Sequence, residues 1–218
     1  MKIRFQKELD KLKKHIHLLG HMVIESIRDV IQALESLDSE LAEQVIISDP
    51  EIDQKEVEIE EECLKLLALY QPVATDLRLV IAIMKINNEL ERIGDEAGNI
   101  AKLIKVMAKQ EKTCRSFDYS LMADRTQFML KTCLESLLEG NEDLAHKVRR
   151  LDDGVDTAKN QAYRTIFKVI KEKPEHAEYL INMQQVAHHL ERVADHATNI
   201  AEQVIYLTQG VIVRHRSL

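Results

Sequence analysis

The chain has little with which to turn. Six glycines and three prolines in 218 residues leave few positions where a backbone reverses cheaply. Tryptophan is absent and aromatic residues make up only 4%. Cys63, Cys114 and Cys133 are an odd number with no Cys-x-x-Cys spacing, so reduced thiols in a cytoplasmic protein are expected rather than a disulfide framework. The longest purely apolar run covers residues 79–84, far short of the roughly 20 residues a bilayer demands. The start lacks the apolar core of a signal peptide, so no membrane insertion is expected. A formal net charge of −7 lacks the basic excess that phosphate neutralisation requires, which argues against a nucleic-acid partner. Lys2, Arg4, Lys7, Lys11, Lys13 and Lys14 are interleaved with Glu8 and Asp10 and read as a solvated helix face. No glycine-rich phosphate loop, nucleophile elbow or Cys/His pair is present.

What remains is rich in Leu, Ile, Ala, Glu and Lys, a composition of long helices. Apolar residues recur by threes and fours from Phe5 through Leu9, Leu12, Ile16, Leu19, Val23 and Val30 to Leu37, which predicts one unbroken helix. Asp38 and Ser39 supply a cap for a second. Pro50 removes a backbone hydrogen bond within it and predicts a kink or a restart capped by Asp49; Gly154 is expected to weaken the corresponding helix. A third helix runs from about Pro72 to Lys109, and a polar link over residues 112–118 follows. The second half repeats the plan: a helix to about Glu139, a Gly140-Asn141 turn, a helix to about Lys171, Pro174, and a last helix toward Gln209. The fold class is all-α: six antiparallel helices in two pseudo-symmetric three-helix repeats, 1–110 and 116–218.

The halves are copies. Residues 90–101 read LERIGDEAGNIA and residues 190–201 read LERVADHATNIA, with eight of twelve positions identical. Upstream, Asp49 and Asp53 correspond to Asp152 and Asp156 at an offset of 103, which falls to 100 by Glu91 and Glu191. The three-residue difference is assigned to the turns near Gln71-Pro72 and Lys173-Pro174.

On a helical wheel at about 100° per residue, Leu90, Ile93, Ala97 and Ile100 form an apolar seam, and Glu91, Asp95 and Asn99 fall on the opposite face. Gly94 and Gly98, with Ala194 and Thr198 in the copy, flank that stripe with little bulk. Adjacent antiparallel helices would bring Asp49, Asp53, Glu91 and Asp95 together. Two carboxylates ~6 Å apart repel by ~2 to 3 kcal/mol at an effective dielectric near 20, and a hard cation would compensate. Oxygen donors without thiolates favour Mg, Ca, Mn or Fe over structural zinc. The competing expectation is a solvated face, with Arg92 bonded to Glu96 and Asp49 acting only as a cap. His188, His189 and His196 have no aligned histidines in the first half and read as surface or boundary residues, as do His15, His17 and His21. A di-iron oxidase would need two Glu-x-x-His motifs, and none of the nine histidines follows a glutamate at that spacing.

The duplicated Asp-x3-Asp and Glu-Arg-x-x-Asp-x3-Asn phrases, with Gln71-Pro72 and the run Asp76-Leu77-Arg78-Leu79-Val80 leading into the first of them, closely resemble the PhoU family across essentially the whole chain. The resemblance implies a cytoplasmic, usually dimeric six-helix regulator without catalytic activity. Its implied partners are the ATPase subunit of a phosphate ABC transporter and a phosphate-sensing histidine kinase; it restrains uptake and starvation signalling when phosphate is ample. It also implies metal ions, iron or alternatively Mn, Mg or Zn, on paired acidic motifs. Carried onto this chain, the ligands are Asp49, Asp53, Glu91 and Asp95 in the first half and Asp152, Asp156, Glu191 and Asp195 in the second. Rival readings are a metal-dependent carboxylate-bridged enzyme and a helical adaptor unrelated to phosphate.

Overall fold

The computed structural model describes residues 2–110 and 117–213. Six long helices carry the chain: α1 Lys2–Ser36, α2 Ser39–Tyr70, α3 Ala74–Met107, α4 Ser120–Glu139, α5 Glu142–Glu172 and α6 Ala177–Gln209. Among the described residues there is no strand.

The ends of the helices follow local chemistry. The Asp38 carboxylate accepts from the backbone N–H groups of Glu40 and Leu41, and Asn141 does the same for Asp143 and Leu144, so each repeat's second helix starts on a side-chain cap. Helix α2 closes on Gln71 in the left-handed region, at φ 46°, and α4 closes on Gly140 at φ 62°, a conformation glycine adopts without a Cβ penalty. The α2–α3 connection is Gln71–Val73, whereas α5 and α6 are joined through Lys173 and a 3-10 turn, Pro174–His176.

One expectation is corrected: helix α2 does not restart at Pro50 but is continuous through it, as α5 is through Gly154. Pro50 costs ~3 kcal/mol in a helix interior, but Ala42 and Val45 before it and Ile52 and Ile59 after it are all buried on one face. Packing on both sides of the lesion holds the register. Gly154 is occupied by a neighbour: Arg125 Nη1 donates to its carbonyl at 2.9 Å. The polar link and Cys114 lie largely or wholly outside the described residues, while Cys63 and Cys133 are buried free thiols.

Helices α3 and α6 are central. Each packs on its own repeat's other two helices and on the other, while among the described elements α2 touches only α1 and α3. Buried apolar residues from all six helices join into one cluster, so the repeats share a core across the α3–α6 seam. Among the described residues, no helix is long and apolar enough to cross a membrane.

Candidate metal centres

Helices α2 and α3 lie side by side, and small residues let them approach. A Cβ added at Gly98 would stand 3.3 Å from Asp49 Oδ2, and one at Gly94 would stand 3.2 Å from the Ile52 side chain. Gly98 is therefore the floor on which the Asp49 carboxylate rests. Pro50 does not turn Asp49 away from the site. Asp49, Asp53 and Asp95 each present an oxygen, all within 4.8 Å of one another.

The second repeat assembles a different trio. Asp156, Glu191 and Asp195 have ligand atoms within 4.8 Å. The two predicted fourths stand just outside: Glu91 feels the charges of Asp95 and Asp53, and Asp152 those of Asp156 and Glu191. Thus all eight sequence-predicted acids lie at the two sites, three in tight apposition at each.

The electrostatics show the strain of that crowding. Burial, then the neighbouring carboxylates, raise the carboxyls of Asp49, Glu91 and Asp95 above their ordinary values. Asp152 is also raised, chiefly by burial, with the Thr198 hydroxyl opposing the shift. Asp195 is pushed up to about 6 by burial and by Glu191, Asp152 and Asp156. Every one of these shifts says that negative charge here lacks compensation. A set of hard, crowded, partly desolvated oxygens fits a hard cation, with Asp49, Asp53 and Asp95 as its holders in one repeat and Asp156, Glu191 and Asp195 in the other. The ion would supply positive charge and coordination sites open toward solvent or a partner.

Histidines enter differently from the sequence expectation. Glu96 does not bond Arg92; its oxygens lie 2.5 Å from His189 Nδ1 and 3.0 Å from Arg192 Nε, both on α6. Across the same seam, Glu89 Oε2 lies 2.7 Å from His196 Nδ1 and accepts from Asn199 at 3.0 Å. Burial alone would raise both glutamates, but their partners hold Glu89 and Glu96 below the ordinary carboxylate range. His196 is buried rather than a surface residue. The signal was present in the repeat itself: Glu89 aligns with His189 and Glu96 with His196, so the acid of each aligned pair faces the base of the other. Among the described histidines only His188 touches a cluster, with Nδ1 3.1 Å from Glu191 Oε2.

Comparison with known proteins agrees with the duplicated architecture. The family model described as "PhoU domain" matches twice, over residues 16–104 and 119–204. A protein of Pseudomonas aeruginosa named "Phosphate-specific transport system accessory protein PhoU homolog" is 37% identical over 216 residues, 99% of this chain and 89% of that protein. A protein of the same name from Aquifex aeolicus is 38% identical over 97% of this chain and 96% of its own length. The crystal structure of PhoU from Pseudomonas aeruginosa superposes with a TM-score of 0.93 at 36% identity, covering 95% of this chain and all of that one. The phosphate transport system regulatory protein PhoU of Streptococcus pneumoniae superposes at 0.86 with 31% identity, over 96% and 99% of the two chains. With both repeats matched and the whole six-helix frame shared, the chain belongs to the PhoU family.

Proposed function

We propose that this protein is a cytoplasmic regulator of phosphate uptake and phosphate-starvation signalling that works by contact rather than catalysis. Its partners are the ATPase subunit of a phosphate ABC transporter and a phosphate-sensing histidine kinase, and it acts as a homodimer. The observation that carries the reading is near full-length similarity to proteins named as accessory to phosphate-specific transport. The acidic clusters fit this role physically: each is a rigid platform on paired helices where a bound cation turns a repulsive patch into one able to accept further ligands.

The ions themselves, iron or alternatively manganese, magnesium or zinc, belong to the same proposal, with Asp49, Asp53, Glu91 and Asp95 at one site and Asp152, Asp156, Glu191 and Asp195 at the other. The test is direct binding of the purified, metal-loaded protein to the purified ATPase subunit and to the cytoplasmic part of the kinase. Alongside it, a starvation reporter is followed in cells that lack the protein and grow in ample phosphate. Binding to at least one partner and a derepressed reporter are expected. Binding to neither, with an unchanged reporter, would return the protein to the class of helical adaptors unrelated to phosphate.

A further inference from the structure

The two repeats differ most in the charge of their second helices. Helix α2 carries ten acidic residues against two lysines, whereas α5 carries six acidic against seven basic. Between them these helices account for the whole net charge of −7. The exchange is concentrated at the outer, C-terminal part of α5. Glu60 and Glu61 of α2 become Tyr163 and Arg164, Leu64 becomes Phe167, and Ala68 becomes Lys171.

The resulting face is exposed and organised. Tyr163 and Phe167 are 54% and 46% accessible, and their rings stack 5.9 Å apart at an interplanar angle of 8°. Lys171 Nζ sits 4.6 Å above the Phe167 ring. Among the described residues, no carboxylate lies within ion-pair distance of Arg164, Lys168 or Lys171. Two aromatic rings held in water beside three unneutralised cations leave both apolar area and charge unused.

We propose that this α5 face docks an acidic, partly apolar segment of another protein. Charge decides the occupant's chemistry: the cations ask for carboxylates, and the exposed sides of the stacked rings ask for an aliphatic or aromatic side chain laid against them. A second copy of this chain is a poorer fit: the acids its α2 could offer are already paired within the chain, Glu58 with Lys55, Glu61 with Lys65 and Glu62 with Lys11. An anionic membrane is also a poorer fit, because the strongly acidic remainder of the protein would be repelled from it. The identity of the partners proposed above is a separate matter, since the surface is tested here with a defined probe.

The probe is a synthetic helical peptide with glutamates on one face and leucines beside them, titrated into the full-length protein and followed by tyrosine-region NMR shifts. Wild type should bind it, and binding should weaken as salt is raised. The variants R164E/K168E/K171E and Y163A/F167A should each bind at least roughly tenfold more weakly with unchanged circular dichroism. The α2 variant E58K/E61K should bind like wild type. No binding by wild type, or equal binding by both α5 variants, would overturn the proposal. So would a preference for phosphatidylserine-rich vesicles over the peptide, which would make the occupant a membrane, or conversion of a wild-type dimer to a monomer by the α5 changes, which would make it a second copy.

Discussion

Glu56 in the first repeat stands where Lys159 stands in the second, and this exchange changes how each cluster handles its charge. In the first, Glu56 adds to the field that raises Glu91, and the cations that oppose the field are Arg92 and Lys102. In the second, Lys159 Nζ donates to Glu191 at 2.7 Å, and that carboxylate draws the lysine's own pKa upward. Yet relief does not spread: Asp195 still sits near 6. A paired lysine neutralises the carboxylate it touches and leaves the neighbours to burial and to each other. The floor differs as well, with Gly98 under Asp49 and Thr198 beside Asp152. One duplicated motif therefore produces two trios, Asp49/Asp53/Asp95 and Asp156/Glu191/Asp195.

The comparison breaks if the sites do not empty independently. Asp95→Asn should lower metal affinity at the first site by at least about tenfold and leave the second unchanged, and Asp195→Asn should do the reverse. Elemental analysis per chain after matched loading with ferrous or manganous ions reads this. Equal metal in wild type and both variants would return the clusters to solvated faces.

A smaller effect separates the sites by acidity. Asp195 has a folded value of about 6 against an ordinary 3.8, so between those values the metal-free folded state holds a proton that the unfolded chain has released. Its contribution therefore stabilises the fold at low pH and is lost as pH rises through about 6. Asp49, Glu91, Asp95 and Asp152 act in the same direction. Chelated protein should melt at a higher temperature near about pH 5 than near about pH 7.5, and Asp195→Asn should flatten that slope more than Asp95→Asn. Saturating metal should reverse the trend, because protons and ion compete for the same oxygens. A melting temperature indifferent to pH in all these proteins would contradict the crowding itself.

The smallest change gives one site the other's floor. Gly98→Thr places a Cβ 3.3 Å from Asp49 Oδ2 and should push that carboxylate off the trio, weakening first-site metal binding a few-fold. The helix gains propensity, so stability should change by less than about 1 kcal/mol. Chemical denaturation and metal titration on the same sample separate the two readouts. Loss of stability without loss of affinity would mean that Gly98 serves helix packing alone.

Much of this was legible beforehand for a physical reason. A 3.6-residue period and a side-chain cap are local properties, so Leu9 through Val30 announced α1 and Asp38 announced the start of α2. Repetition supplied the rest, since two copies of Glu-x3-Asp and Asp-x3-Asp pointed to all eight acids. A restart at Pro50 was the wrong expectation because the local penalty is visible in sequence while the opposing burial of Val45 and Ile52 is tertiary. The part-buried Glu89–His196 and Glu96–His189 contacts were missed because each joins residues about a hundred positions apart.

By itself, the order of residues determined helix number, the duplication, the apolar seams and the acids offered to each site, since these depend on neighbours within a few turns. Only the packed molecule decided which three carboxylates meet, that Lys159 claims Glu191, that two histidines bridge the repeats, and that α5 turns stacked rings and cations to solvent. Those outcomes depend on the distance and rotation between helices, and Coulomb energy and desolvation vary with distances of a few ångströms that no single helix specifies.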